Sequence, residues 1–251
     1  TRFGNLGNIL DFENLTKENI YVLESPVLSN SQFSKFMSFF KKNIKILDCT
    51  FNIEENLKER LEKLCSEAEI AVREGAKHLV LTDKEINQKK AQIPMILAIG
   101  AVNSRLTNLG IRGFVSINVQ TSEALDTHSF AVLLGVGATT INPYIALDSI
   151  YQRHEKKLFG KLNFEECIYK YVKSIDNGLL KIMSKMGISV LSAYRGGCNF
   201  ESVGLSRALV SKYFPGMVSR ISGIGIFGIE KKIKNLHKKA FQKNISILPI
   251  G

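Results

Sequence analysis

The sequence predicts an α/β fold in which most strands are parallel. Stretches with apolar residues at steps of three and four, typical of amphipathic helices, alternate with short, nearly continuous apolar runs, typical of buried strands. Such an alternation implies parallel strands joined by right-handed crossovers. With 251 residues, 45% of them hydrophobic, the chain can bury a large core. We count six or seven strands, which fits either a doubly wound sheet or a barrel-like sheet.

The first half of the chain begins with a predicted strand at residues 19–24 and a helix at 31–40. Residues 43–48 predict a second strand, whose apolar character is typical of a strand covered on both faces. Asn52, with a glutamate three positions later, resembles the cap of the next helix. Residues 78–83 then predict another strand, closing in a polar residue.

The same alternation continues through the middle of the chain. Residues 92–109 predict a helix, since their proline falls in the first turn, where proline is tolerated. A strand at 113–119 follows, and Thr121 or Ser122 is placed to cap the next helix. Residues 138–142 predict the strand after that helix.

A long amphipathic helix is predicted from residue 163 onward. Asn163 and Glu166 resemble a capping box, and Gly187 is placed for the left-handed conformation that ends a helix. The β-branched run at 188–191 predicts a buried strand directly after it. The apolar line of the helix, which we expect to face the core, is Phe164, Ile168, Val172, Ile175, Leu179, Ile182 and Met186.

Polar residues lie at or just past the carboxyl ends of the predicted strands, where parallel α/β folds place ligands. These residues are Asp48, Asp83, Asn118, Asn142 and Tyr194 or Arg195. Two carboxylates, two amides and an arginine could form a ligand site. The same groups could equally cap loops and satisfy helix ends.

Other candidate motifs are weaker. Gly223, Gly225 and Gly228 satisfy the GxGxxG spacing before a predicted helix, but no strong strand precedes them and no acidic residue follows at the distance that a ribose requires. We therefore predict a connecting loop. The four histidines show neither metal-ligand nor triad spacing. The four cysteines are far apart and are predicted to be structural thiols; they are Cys49, Cys65, Cys167 and Cys198.

The net charge of +11 raises the question of polyanion binding. The lysines are mostly scattered, and the dense run at 231–243 falls on a predicted helix whose solvated face explains it, so we predict no nucleic-acid partner. Alternatively, the lysines of that helix could dock on an acidic surface of a neighbouring domain. No apolar run approaches the roughly 18 residues of a membrane span, and the amino end lacks signal-peptide features, which favours a cytoplasmic setting. The chain begins with Thr1 and ends abruptly, as expected of a piece of a longer polypeptide.

Several blocks of the sequence resemble the large subunit of glutamate synthase. They are LESPVLSN at 23–30, ILDCTF at 46–51, HSFAVLLGVGATTINPY at 128–144, GLLKIMSKMGISVLSAYRGG at 178–197, NFESVGL at 199–205 and YFPGMVSRISGIG at 213–225. The resemblance therefore covers nearly the whole chain. It selects the barrel-like alternative, because the central domain of that family resembles a rudimentary, incomplete (β/α) TIM barrel.

The resemblance implies that residues 1–200 are the central domain and that 201–251 lead into an FMN-binding synthase domain. The parent enzyme would make L-glutamate from L-glutamine and 2-oxoglutarate, with FMN, an iron–sulfur cluster and NADPH or ferredoxin acting outside this segment. The implied partners are the glutaminase and synthase domains of the same polypeptide and a small electron-transfer subunit. No catalytic, cofactor or metal residue is expected here. A self-sufficient barrel-like enzyme or FMN-binding domain is the alternative.

Overall fold

The computed structural model describes residues 2–4 and 20–242. The strands are β1 (Arg2–Gly4), β2 (Ile20–Val22), β3 (Ile44–Asp48), β4 (Thr50–Asn52), β5 (His78–Thr82), β6 (Lys90–Gln92), β7 (Ser116–Gln120) and β8 (Thr140–Asn142). The α-helices are α1 (Asn30–Phe39), α2 (Leu57–Arg73), α3 (Met95–Asn108), α4 (Thr127–Gly135), α5 (Tyr144–Glu155), α6 (Phe164–Lys185), α7 (Leu191–Tyr194), α8 (Arg207–Tyr213) and α9 (Ile226–Ala240). Within these ranges, no helix combines the length and the apolar character needed to cross a bilayer.

A parallel sheet of four strands lies at the centre, in the order β3-β5-β7-β8. Neighbours in the sheet are successive strands of the alternating pattern, as in a barrel, and Val27 adds a parallel bridge to Ile141 beyond β8. In the described part of the chain the sheet does not close on itself. This architecture confirms the predicted α/β class with mainly parallel strands and an incomplete barrel-like arrangement. Of the six or seven strands counted from the sequence, only four form this sheet, because β2 pairs antiparallel with β1 and residues 188–191 form no strand.

Alternation along the strands gives the sheet two different faces. The apolar face consists of Leu47, Leu79, Leu81, Ile117, Val119 and Ile141, which share one core with α2, α3 and α4. The polar face consists of His78, Thr82, Ser116, Asn118, Gln120, Thr140 and Asn142. On this second side α1 packs against Val80 through Phe33 and Phe36. Both faces are buried, so the polar face has to satisfy its hydrogen-bonding groups internally.

Two strand predictions need correction. β3 is an edge strand and is not covered on both faces, since the side chain of Ile46 is 54% exposed. Residues 188–191 form no strand, and the chain instead enters the short helix α7. The helix before it agrees with prediction, because Asn163 and Glu166 form the capping box of α6 and Gly187 has φ +69°.

The predicted apolar line of α6 is buried in its carboxy-terminal half only. Ile175 and Leu179 are buried in the core, whereas Met186 is 43% exposed. Phe164, Ile168 and Val172 line a groove of about 460 Å³ next to Leu147 and the start of α1.

Two predicted caps are also displaced. Asn56, not Asn52, caps α2, and Asp126, not Thr121 or Ser122, caps α4. Asn52 instead forms a reciprocal turn with the following glutamates, one turn ahead of the helix.

Candidate functional site

A buried polar network lies at the carboxyl ends of β5 and β7 and is centred on Asp83. Its carboxylate accepts hydrogen bonds from the Thr121 hydroxyl (2.7 Å), the Ser122 hydroxyl (3.0 Å) and the Ser122 backbone N–H (2.9 Å). Asp83 is fully buried. A buried carboxyl group needs hydrogen-bond partners within the protein, and these three donors supply them. Asp83 therefore ties the end of β5 to the loop that follows β7.

Glu123 extends the network to the start of α3. Its carboxylate accepts the Met95 N–H at 2.6 Å and the Gln92 side-chain amide at 2.9 Å. Pro94 precedes α3 and supplies no side-chain cap, so Glu123 takes that role from a different loop. Burial raises the pKa of Glu123 to about 7. The hydrogen bond from Met95 lowers this pKa, and the charge of Asp83 raises it further. Glu123 can thus hold a proton near neutral pH, but both of its oxygens are engaged within the protein.

Tyr144 completes this end of the sheet at the start of α5. Burial raises the pKa of its hydroxyl, and the nearby charge of Asp83 and a hydrogen bond to that carboxylate raise it further. The Lys84 ammonium lies 5.3 Å from the centre of the Tyr144 ring, within the range of a cation–π contact. The phenol therefore stays protonated next to the Asp83 carboxylate.

Asp48, the other predicted carboxylate, belongs to a separate cluster at the edge strand β3. One oxygen accepts the Thr50 N–H (3.0 Å) and the Thr50 hydroxyl (2.7 Å), and the other accepts the Lys90 ammonium at 3.2 Å. Arg60 donates to the backbone oxygens of Asp48 and Thr50 at 2.6 and 3.1 Å. These bonds hold the turn between β3 and β4, and Asp48 thus has a loop-capping role.

The two predicted asparagines lie on the polar face. Asn118 donates to the Ser116 hydroxyl (2.8 Å) and to the Leu79 carbonyl (3.3 Å), and it accepts from the Thr140 hydroxyl (2.7 Å). Asn142 accepts from the Gln120 amide at 3.1 Å and donates to the Leu28 carbonyl and the Asn30 side chain, both at 3.0 Å. The asparagines bind different neighbours and serve to connect adjacent strands.

Tyr194 and Arg195 do not join this group, which corrects their predicted placement. Tyr194 is in α7, and the chain just after it bonds to the turn before β8, through Gly196 N–H to the Gly135 carbonyl at 2.8 Å. This is the amino end of the strands. Burial, with repulsion from Arg195, lowers the pKa of Arg112 to about 10 at the same end. The predicted cluster is therefore divided between the two ends of the sheet, because the strand expected at 188–191 does not form.

The glycine-rich loop does not have the shape of a phosphate site. The backbone of Gly204 holds this loop: its N–H donates to the Ile221 carbonyl (2.9 Å), and its carbonyl accepts from the Ile224 N–H (3.0 Å). A Cβ on Gly223 would collide with the Gly204 backbone, so the glycine serves close packing of two chain segments. The residues here do not fit the phosphate of FMN, and we derive no flavin chemistry from them.

The histidines and cysteines of the described residues also form no group of three or more that could hold a metal ion. His78 is buried on the polar face, where its Nδ1 lies 2.8 Å from the Ser116 hydroxyl. Cys49 and Cys167 are buried, and burial raises the pKa of the Cys49 thiol. Burial thus keeps the Cys49 thiol neutral, and a buried neutral thiol is inert.

Sequence reasoning missed Gln92, Glu123 and Tyr144. A signal existed for Glu123, since the polar run 120–123 directly follows the strand at 113–119. No sequence pattern near Gln92 or Tyr144 indicates a functional role. These residues lie close to Asp83 only because three separate loops meet in the folded protein.

The fold and the site together define a parallel α/β domain whose strand-end polar groups bind one another. The family described as the glutamate synthase central domain matches residues 1–206. The chain belongs to this family.

Similar proteins are glutamate synthase chains of much greater length. The chain is 51% identical to the glutamate synthase [NADPH] large chain of Azospirillum brasilense, over 100% of this chain and 17% of that protein. It is 38% identical to the corresponding Bacillus subtilis protein, over 89% of this chain and 15% of that one. The ferredoxin-dependent glutamate synthase of Pyropia yezoensis is 36% identical over 96% of this chain and 16% of its own length. The chain thus spans about a sixth of the relatives that it matches.

Proposed function

We propose that this chain is a non-catalytic structural domain within a glutamate synthase, holding a glutaminase domain and an FMN-binding synthase domain in register. The observation that carries the proposal is the way in which the strand-end groups are used. Asp83 and Glu123 accept hydrogen bonds from neighbouring protein groups, and Asn118 and Asn142 connect strands. Parallel α/β folds bind ligands at the carboxyl ends of their strands, and in this chain the polar groups at those ends hydrogen-bond to one another instead.

The reaction of the parent enzyme is the transfer of the amide nitrogen of glutamine to 2-oxoglutarate, giving L-glutamate. Ammonia released in one domain has to reach the other without protonation or loss to water, and a rigid intervening domain can help to wall such a path. FMN and the iron–sulfur cluster would lie in the synthase domain. The names of the related glutamate synthases include NADPH, NADH or ferredoxin as electron donor, and for this protein we propose NADPH or ferredoxin.

Within the chain we assign residues 1–200 to the central domain and 201–251 to an extension that leads into the synthase domain. The family match ending at residue 206 supports this division. In the described part of the extension, residues 201–242, Leu209, Val210 and Phe214 belong to the main hydrophobic cluster. We further propose a cytoplasmic location and, as an additional partner, a small electron-transfer subunit.

The alternative of a self-sufficient enzyme or FMN-binding domain requires strand-end groups that are open to a ligand. The internal bonds of Asp83 and Glu123 and the packed glycine loop argue against it.

An activity assay on the purified 251-residue chain tests the proposal. We expect neither release of ammonia from glutamine nor formation of glutamate from glutamine and 2-oxoglutarate, since the proposal places both reacting centres in other domains. The full-length polypeptide, assayed in parallel, is expected to catalyse both steps. Turnover by the 251-residue chain in either assay would refute the structural role.

A further inference from the structure

Two loop segments, 201–206 and 217–225, run side by side on the surface, and we call them the double loop. Their backbones are joined by Ser202 N–H to the Val218 carbonyl (2.8 Å), Gly204 N–H to the Ile221 carbonyl (2.9 Å) and Ser206 N–H to the Ile224 carbonyl (2.9 Å). The Arg207 guanidinium adds hydrogen bonds to the Ser219 and Arg220 carbonyls at 3.4 and 3.3 Å. The double loop is therefore an ordered surface although it is neither helix nor regular sheet.

This ordered surface presents apolar side chains to solvent. Val203, Val218 and Ile221 are 65%, 48% and 62% exposed. They are neighbours, because Val203 lies between Ser202 and Gly204, whose N–H groups bond to Val218 and Ile221 respectively. A contiguous apolar patch held by hydrogen bonds loses little conformational entropy when it is covered.

The surroundings of the patch are cationic. Arg220 is 75% exposed and pairs with Glu201, and α9 follows the double loop directly. Four lysines of α9 occupy about a third of the helix circumference at 100° per residue, opposite the residues that pack on the core. These lysines are Lys231, Lys232, Lys238 and Lys239. The acidic residue of α9, Glu230, is already engaged by Lys234 at 2.7 Å and by the Leu57 N–H at 3.0 Å.

We propose that the double loop and the lysine face of α9 form the docking surface for the domain that follows this chain in the polypeptide. This inference rests on the proposed function. The partner surface has an apolar centre that covers Val203, Val218 and Ile221 and carboxylates that meet the lysines. Helix α9 is about 22 Å long at 1.5 Å per residue, so a domain joined after it remains within reach of the double loop. Such a tether gives an effective concentration on the order of mM, so the contact does not need the affinity of an interface between separate chains.

Hydrogen exchange of the double loop in the full-length polypeptide, compared with the 251-residue chain, tests the proposal. We expect exchange at 201–206 and 217–225 to be slower in the full-length protein by about tenfold or more, since covered amides open less often. The double variant Val203→Asp/Ile221→Asp should remove this difference. Leu158→Asp, a matched change at a side chain that is 66% exposed elsewhere, should leave the difference in place.

Equal exchange rates in the two proteins would overturn the proposal, as would protection that the aspartate variant leaves unchanged. Protection that appears in the 251-residue chain as its concentration rises would indicate self-association and would also overturn it. Tight binding of polyphosphate to the 251-residue chain, lost in Lys231→Glu/Lys238→Glu, with no protection in the full-length protein, would identify a polyanion site instead. Protection in a full-length polypeptide that makes no glutamate would refute the proposed function and support the docking surface.

Discussion

The apolar and polar faces of the parallel sheet are comparably buried but are stabilised differently. On the apolar face, Leu79 and Ile117 have no exposed surface and pack against helices, and full burial of such a side chain is worth about 2 kcal/mol. On the polar face, Asn118 and Thr140 are equally buried and are hydrogen-bonded to each other at 2.7 Å. The net gain from one such bond is only about 1 kcal/mol.

The difference between the faces concerns specificity more than total stability. Apolar contacts tolerate small shifts between strands, whereas Asn118 can satisfy its groups only when β5, β7 and β8 keep their register. In an incomplete barrel, where closure does not impose the register, such polar links fix how neighbouring strands align. We infer that the polar face defines the strand ends on which the Asp83 network is built.

The largest expected effect belongs to the apolar face. Leu79→Ala should lower the free energy of unfolding by about 3 kcal/mol, because it leaves a cavity in the centre of the core. Denaturation in urea measures this. Ile46→Ala on the exposed edge strand is the control and should cost less than about 1 kcal/mol. Equal losses in the two variants would contradict the assignment of the core.

A somewhat smaller effect is expected on the polar face. Asn118→Leu should cost about 2 kcal/mol, because the Thr140 hydroxyl loses its acceptor in a buried place. Adding Thr140→Val should recover part of this loss, since both partners are then apolar. If Asn118→Leu alone proved neutral in urea denaturation, the polar face would not set the register as described.

The pH dependence of stability separates the faces further. Burial lowers the pKa of His78 to about 4, so between pH 6.5 and 4 the unfolded chain takes up a proton that the folded protein does not. The contribution of His78 to the free energy of unfolding is fully present above pH 6.5. It falls by about 1 kcal/mol or more as the pH drops towards 4. We expect His78→Gln to lack this component when the unfolding free energies of both proteins are compared across that range. Parallel pH profiles would show that His78 does not titrate as stated.

The smallest expected effect comes from a position on neither face. Gly187→Val should cost about 1 kcal/mol or more, because a β-branched residue is strained at φ +69° although its surroundings leave room for a side chain. Gly113→Val is a matched control, also without close neighbours but without a positive φ. Thermal unfolding of both variants gives the comparison. An unchanged melting temperature for Gly187→Val would refute the role of Gly187 as the end of α6.

Features that depend on near neighbours in the chain were predicted from the sequence. The capping box of Asn163 with Glu166 and the left-handed Gly187 need only a few adjacent residues, and both are present. The alternation of helices and strands likewise gave the parallel sheet. Two asparagines compete to cap α2, and the one adjacent to the first core residue, Asn56, is used.

Features that need a partner from elsewhere were not predicted. The run at 188–191 has strand-like composition, but no neighbouring strand takes it up, and the chain turns into α7. Asp83 was placed correctly at a strand end because its strand was predicted correctly. Glu123 and Gln92 reach the same network from two other loops, which no periodicity can indicate. The predicted positions of Tyr194 and Arg195 were wrong because they assumed a strand at 188–191, which does not form.

A titration of the 251-residue chain with FMN, followed by quenching of flavin fluorescence at physiological salt, tests the central claim most directly. If the strand-end groups and the glycine loop are occupied by internal bonds, as the Asp83 network and the packing of Gly223 indicate, flavin fluorescence will remain unchanged. Saturable binding at micromolar FMN would contradict a purely structural domain, because it would require a working phosphate site in this chain.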